Sequence, residues 1–206
     1  MDIYGQFAPQ LTKVKEDVYA RLEALNKKVL QDGQPKLYEH LIARVKDPAS
    51  MVEKCHRKGY DVTTHAALRD CHDSVGLRMV SNFIDDVTRC RQALERADWC
   101  DVVEEKDYIT NAKPNGYRSY HMILLVDEPF ADVDGHNPGR YYVEVQLRTI
   151  AMDTWASLEH EMKYKHHLAH PERMGKELKR CADQLAACDV ELQTIRQLIR
   201  EDELGE

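Results

Sequence analysis

The sequence predicts a single α/β (α+β) domain with a long helix at each end. Four short runs rich in β-branched, aromatic or aliphatic residues lie in the middle of the chain: Val75 to Val80, Cys100 to Glu104, Tyr120 to Val126 and Tyr141 to Leu147. Apolar residues at helical spacing occupy both ends. The 206 residues, 43% hydrophobic and 32% charged, suffice for one well-buried core and are too few for several independent modules. The expected division is a helix over 1–34, a core over 35–168 and a second helix over 169–206.

Taken in order, Phe7, Leu11, Val14, Val18, Leu25 and Val29 recur at helical spacing until Gln-Asp-Gly-Gln-Pro interrupts them. Asp47-Pro48 is a strong helix start, because a short acid caps free amides and proline suits the first helical position; Gly59 is the stop, giving a helix over 48–58. A strand over 75–80, a helix over 84–97 and a strand over 100–104 follow. Lys113 to Gly116 reads as a turn, and Asp132 to Gly139, rich in Gly, Pro, Asn and Asp, as an irregular hairpin loop between the last two strands. Thr149 caps a helix carrying Ala151, Trp155, Leu158 and Met162 on one stripe. A last stripe, Leu178, Cys181, Leu185, Cys188, Leu192, Ile195 and Ile199, steps by three and four residues. That seam suits the first helix, a partner chain or the domain's own surface.

Composition excludes several classes. No apolar stretch approaches a membrane span and Met1 to Gln10 carries no secretory pattern, so a cytoplasmic protein without a membrane partner is expected. A formal net charge of −7 disfavours broad binding to polyanions except at a local basic patch. Six cysteines (55, 71, 90, 100, 181 and 188) contain no C-x-x-C pair and are expected to be reduced core thiols.

Four segments carry candidate chemistry. In the first, Arg44 and Lys46 precede the helix that begins at Pro48, and Ser50, Lys54 and Arg57 or Lys58 lie three or four residues apart on it. Free amides, helix dipole, hydroxyl and cations then converge where a polyphosphate binds. A solvated basic face is the plain alternative. In the second, Asp73-Ser-Val-Gly-Leu-Arg78, an acid sits just before an apolar strand that contains an arginine, and such an arginine requires a phosphate or a carboxylate partner. An internal Asp73–Arg78 ion pair is the alternative. In the third, Lys113-Pro-Asn115-Gly-Tyr117-Arg-Ser-Tyr-His121, a turn delivers an aromatic ring and cations together, as stacking on a base and contact with phosphates require. In the fourth, strict alternation puts Glu144, Gln146 and Arg148 on one face of a strand and Val143, Val145 and Leu147 on the other. That face is either the outer side of an edge strand or, with Asp73, the pair of acids that Mg²⁺-assisted phosphoryl transfer uses. Two weaker signals remain. His160, His166, His167 and His170 lack zinc-site spacing and read as a solvent-facing cluster, and His72-Asp73 has no flanking ligands.

In this order, from about Arg44 to Lys165, the four segments resemble the synthetase domain of the RelA/SpoT homologue family, specifically its stand-alone small alarmone synthetases. RVKDPASMVEKC, AKPNGYRSYH and VEVQLRTIAMDTWASLEHEMKYK carry the resemblance. It implies a mixed β-sheet flanked by helices, akin to the nucleotidyltransferase fold, and transfer of pyrophosphate from ATP to the ribose 3′-hydroxyl of GDP or GTP with release of AMP. It further implies that Arg44, Lys46, Ser50, Lys54 and Arg78 serve ATP, and that Tyr117 stacks on guanine with Lys113, Asn115 and His121 beside it. Asp73 would hold Mg²⁺, and Glu144 would activate the 3′-hydroxyl from beside the metal, with Gln146 on the acceptor side and Arg148 in support. Ser74 departs from the apolar residue expected after Asp73. The resemblance also implies a homo-oligomer, a tetramer, with a regulatory RNA or the product nucleotide as further partners. The alternatives are a pyrophosphokinase for adenine nucleotides or the tRNA 3′ end, and a catalytically silent RNA- or nucleotide-binding oligomer.

Overall fold

A computed structural model describes residues 2–165 and 171–205 of the chain. Elements run α1 (Ala8–Gln31), β1 (His40–Val45), α2 (Pro48–Lys58), α3 (Thr64–Arg69), β2 (Val75–Ser81), α4 (Ile84–Glu95), β3 (Cys100–Asp107), β4 (Tyr120–Glu128), β5 (Gly139–Thr149), α5 (Ile150–Lys165) and α6 (Pro171–Gly205). The five strands form one sheet in the order β1-β2-β5-β4-β3. Only β2 and β5 pair in parallel; the other neighbours are antiparallel, so the sheet is mixed as expected.

Local chemistry sets the element boundaries. Asp47 caps α2 by accepting from the Ser50 amide at 3.0 Å, and Gly59 ends it in the left-handed region at φ 71°, where a side chain is strained. At α5, the Thr149 hydroxyl accepts from the Met152 amide at 3.2 Å. The predicted strands and helices recur within a few residues of their expected ends. β1 and α3 were not foreseen. β1 is an edge strand whose residues alternate between exposed and half-buried, so it lacks a long apolar run. α3 has six residues, too few to show a period.

The core fills one side of the sheet. Leu11, Val14, Val18 and Leu22 of α1, Val87, Cys90 and Leu94 of α4, and the inward residues Leu77, Met79, Met122, Leu124, Val143, Val145 and Leu147 are all buried in one cluster. Ser74 is buried as well, and its hydroxyl donates to the Ala67 carbonyl at 2.6 Å, so the polar residue before β2 is satisfied and the strand begins at Val75. Cys55, Cys71 and Cys90 are buried thiols and Cys100 is half-buried, but Cys181 and Cys188 are exposed on α6, which corrects the expectation of six core thiols. The α6 stripe divides: Leu178 and Leu185 pack with Ala182 on the domain's own surface, Asp189 and Gln193 are buried further along, and Leu192, Ile195 and Ile199 stay exposed.

Candidate active site

The face of the sheet opposite the α1 and α4 core is polar, and strand register lines its groups up in rows. Arg44, Gly76, Glu144, Ile123 and Glu104 are successive neighbours across the five strands; Ile42, Arg78, Gln146, His121 and Lys106 form the next row. Because β5 is the central strand, Glu144 and Gln146 lie mid-sheet, which overturns the edge-strand reading of their alternation. A side chain there is held by rigid neighbours on both sides.

At one end of these rows, Asp73 forms ion pairs with Lys46 (2.9 Å) and Lys54 (2.7 Å). The three groups come from the loop after β1, from α2 and from the turn before β2; the backbone bond from the Lys46 amide to the Ser74 carbonyl (2.8 Å) fixes the two loops together. Asp73 therefore pairs with lysines and not with Arg78. Arg78 instead reaches Asp153 in the first turn of α5, at 2.9 Å. Burial and the neighbouring Arg148 push the Arg78 guanidinium down. The same Asp153 oxygen meets Arg148 at 3.0 Å, so two guanidiniums share one carboxylate oxygen.

At the centre, Glu144 receives hydrogen bonds from His121 Nδ1 (3.1 Å) and the Gln146 amide (2.8 Å). Burial would raise this carboxyl, but the two donors and the nearby Lys54 charge outweigh it and hold Glu144 down at about 2. Arg148, 4% exposed, donates to Gln146 Oε1 (2.8 Å) and to the Tyr117 hydroxyl (2.7 Å). Since guanidinium only donates, the Tyr117 hydroxyl accepts from it and donates to His121 Nε2 (2.8 Å), leaving Nδ1–H for Glu144. One network thus joins Arg148 to Glu144 by two routes, through Gln146 and through Tyr117 and His121.

The Lys113 to Gly116 turn closes with the Gly116 amide on the Lys113 carbonyl at 2.8 Å. The Lys113 ammonium sits 4.5 Å from the Tyr108 ring centre and 5.0 Å from that of Tyr117, and desolvation pushes it down. Asn115 turns to Glu159 of α5 (3.1 Å) and Ser50 is exposed at the start of α2.

Three clefts meet at Glu144. The first, about 30 Å³, is lined by Arg44, Asp73, Gly76, Arg78 and Gln146; the second, about 170 Å³, by Tyr108, Lys113, His121, Glu104 and Lys106; the third, about 250 Å³, by Lys54, Lys58, Asp73, His72 and Lys106. Sequence reasoning singled out most of these groups and missed Asp153, Glu159, Glu104, Lys106 and Tyr108. An acid in the first turn of a helix has an ordinary explanation in the helix dipole, so Asp153 gave no signal of its own. His72 stacks on Tyr142 with ring centres 4.0 Å apart. His166, His167 and His170 lie outside the described residues. Asp132, Asp134 and His136 form a cluster of metal-ligand type, yet Asp132 is taken by Arg69 (2.6 Å) and by three backbone amides.

Two half-buried acids, Asp73 and Glu144, shared by adjoining clefts that Arg44, Arg78, Lys54, Lys58 and Lys106 also line, define a site for polyphosphate chemistry on a mixed sheet. The family model described as the region found in RelA / SpoT proteins matches residues 43–169. The GTP pyrophosphokinase YwaC of Bacillus subtilis (strain 168) is 40% identical over 146 residues, 70% of this chain and 67% of the relative. The GTP pyrophosphokinase YjbM of the same strain is 32% identical over 198 residues, 96% of this chain and 90% of the relative. The crystal structure of small alarmone synthetase 1 from Bacillus subtilis bound to its product pppGpp superposes with a TM-score of 0.82 at 30% identity, covering 94% of this chain and 95% of that one. The chain belongs to the RelA/SpoT family.

Proposed function

We propose that the chain is a GTP pyrophosphokinase that moves the β,γ-pyrophosphate of ATP to the ribose 3′-hydroxyl of GDP or GTP and releases AMP, with residues 1–206 acting as one synthetase domain. The observation that carries this is the meeting of the Asp73–Lys46–Lys54 cluster and the Glu144–His121–Gln146 cluster at a shared cleft. Transfer of a phosphoryl group demands positioning and charge neutralisation more than covalent chemistry, and those are what this constellation supplies.

Arg44 and Arg78 take the donor's side of the first cleft, while Lys46 in the loop before α2 and Ser50 and Lys54 on α2 serve its phosphates. Lys113, Asn115, Tyr117 and His121 form the acceptor side. Tyr117 offers its ring to guanine once the Lys113 ammonium moves off it. Glu144 is ionised throughout the physiological range and ready to accept a hydrogen bond from the 3′-hydroxyl. The incoming hydroxyl competes with His121 and Gln146 for its oxygens; losing either donor makes the carboxylate more basic as the proton arrives. Arg148 holds Gln146 and Tyr117 in place for both tasks.

Asp73 and Glu144 are hard oxygen donors lining one cleft, and each carboxylate has lone pairs beyond those already engaged, which fits Mg²⁺. When bound, the ion supplies charge neutralisation on the transferring pyrophosphate. Exposed Val190, Leu192, Ile195, Leu198 and Ile199 on α6 support the proposed assembly into a homo-oligomer, a tetramer, with product nucleotide or RNA as effectors. No described helix is long and apolar enough to cross a membrane, and a cytoplasmic site is proposed.

The test is an acceptor panel. Purified protein with Mg²⁺ and ATP is given GDP, GTP, AMP or deacylated tRNA, and products are separated by anion exchange and weighed by mass spectrometry. A pyrophosphorylated guanosine nucleotide is expected; modification of only AMP or tRNA would overturn the proposed acceptor.

A further inference from the structure

The acceptor loop rests on a part of the chain that lies beyond the family-matched region. Gly116, at φ +92°, faces α6 so closely that a Cβ built on it would stand 2.5 Å from the Ala182 methyl and 3.2 Å from Lys179 Cδ. Arg118 reaches the Ala182 carbonyl (3.4 Å) and the Asp183 carboxylate (3.3 Å). Trp155, whose ring packs edge-on against Tyr117 at 6.4 Å, donates its indole N–H to the Leu178 carbonyl at 2.8 Å. Trp155, Ala156 and Ala182 form a small buried cluster against which Tyr117, Leu178 and Leu185 pack. Every element of the loop from Gly116 to Arg118 therefore touches α6 directly or through one side chain.

Further along, α6 is pinned to the core. The Thr149 hydroxyl donates to Asp189 (2.6 Å), Gln193 bridges to Asp85 (2.6 Å), and Arg196 pairs with Asp86 (2.8 Å). A helix fastened at three such points is a stiff backstop, and a close-packed contact transmits even a one-methyl change.

We propose that Ala182 is a positioning residue for the acceptor nucleotide: α6 from Leu178 to Leu185 sets where the Gly116–Arg118 loop holds Tyr117, and so sets acceptor affinity without touching the donor side. This rests on the guanine-nucleotide acceptor proposed above. A small side chain at 182 is required by the approach of Gly116, and a larger one displaces the loop away from the helix. Of the donor groups, Arg44 on β1, Lys46 in the loop after it and Lys54 on α2 stand away from α6, and Arg78 is linked to Tyr117 only indirectly, through Asp153 and Arg148, so the donor side feels that displacement far less than the acceptor side.

The experiment compares wild type, Ala182→Leu and Asp183→Ala in the full chain. It measures KM for GDP and GTP in the transfer reaction, the Kd of a non-hydrolysable ATP analogue by calorimetry, and the thermal midpoint. Ala182→Leu is expected to raise acceptor KM about tenfold while the ATP-analogue Kd stays within about twofold. Asp183 is 48% exposed, so its replacement leaves folding intact, and loss of its tie to Arg118 is expected to raise acceptor KM about threefold. If Ala182→Leu fails to fold, the Asp183→Ala result decides. An unchanged acceptor KM in the folded variant, or an equal loss of ATP-analogue affinity, overturns the proposal. Absence of any guanosine product from the wild type would overturn the proposed reaction, and with it this inference, before the variants are compared.

Discussion

Glu128, at the end of β4, is 4% exposed, has one carboxyl oxygen buried without a hydrogen-bond partner, and shares a hydrogen bond with Asp17 of α1. Two carboxyls in contact cannot both ionise cheaply; burial first, and then the Asp17 charge, push Glu128 from 4.5 up to about 7 against a smaller opposing effect of Arg21. The folded state therefore binds this proton more tightly than the unfolded chain. Its stabilising contribution is complete below the unfolded value and is lost as pH rises through the folded one. At about 1.4 kcal/mol per pH unit, roughly 2–3 kcal/mol of stability should disappear between pH 5 and pH 8.5. Glu128→Gln keeps the shape of the protonated acid and an N–H donor for Asp17, so it should abolish that loss. The assay is urea denaturation of both proteins across that range; histidines and thiols titrate alike in the two and cancel in the difference. Parallel stability profiles would refute the buried proton on Glu128.

Three further outcomes are expected. Thr149→Val removes both the α5 cap and the partner of buried Asp189, and should cost roughly 2–4 kcal/mol in urea denaturation; a loss under 1 kcal/mol would show that water replaces the hydroxyl. Arg148→Lys cannot serve Asp153, Tyr117 and Gln146 at once, and should lower kcat at least about tenfold while a nucleotide analogue still binds; wild-type turnover would remove Arg148 from the site. Chelation by EDTA should stop transfer and added Mg²⁺ should restore it, measured as AMP release.

Much of the fold was legible because the buried residues obey simple periods. The alternation of β5 from Tyr141 to Leu147 and the Asp47-Pro48 start of α2 carry their structures in their local order. β1 did not, because an edge strand needs no continuous apolar run. The C-terminal helix was half legible for a different reason. Its apolar stripe supplies Leu178 and Leu185 to the packed face, but the same face also uses small and polar groups, Ala182, Asp189 and Gln193, whose partners come from distant parts of the chain. The same limit applies at the site. Residue type and spacing picked out Asp73 and Glu144, but only the folded chain reveals that Lys46 and Lys54 converge on one, that sheet register brings His121 and Gln146 to the other, and that Asp153 joins two arginines.

The proposed role of Glu144 is to activate a ribose 3′-hydroxyl for attack on the β-phosphorus of ATP. The most direct test follows AMP and guanosine 3′-pyrophosphate together in wild type and Glu144→Gln, with ATP-analogue and GDP binding measured alongside. Equal amounts of the two products are expected from wild type, and a variant that binds both nucleotides but turns over about 10²- to 10⁴-fold more slowly. A folded Glu144→Gln enzyme with wild-type turnover, or AMP released without a 3′-modified guanosine, would contradict that role.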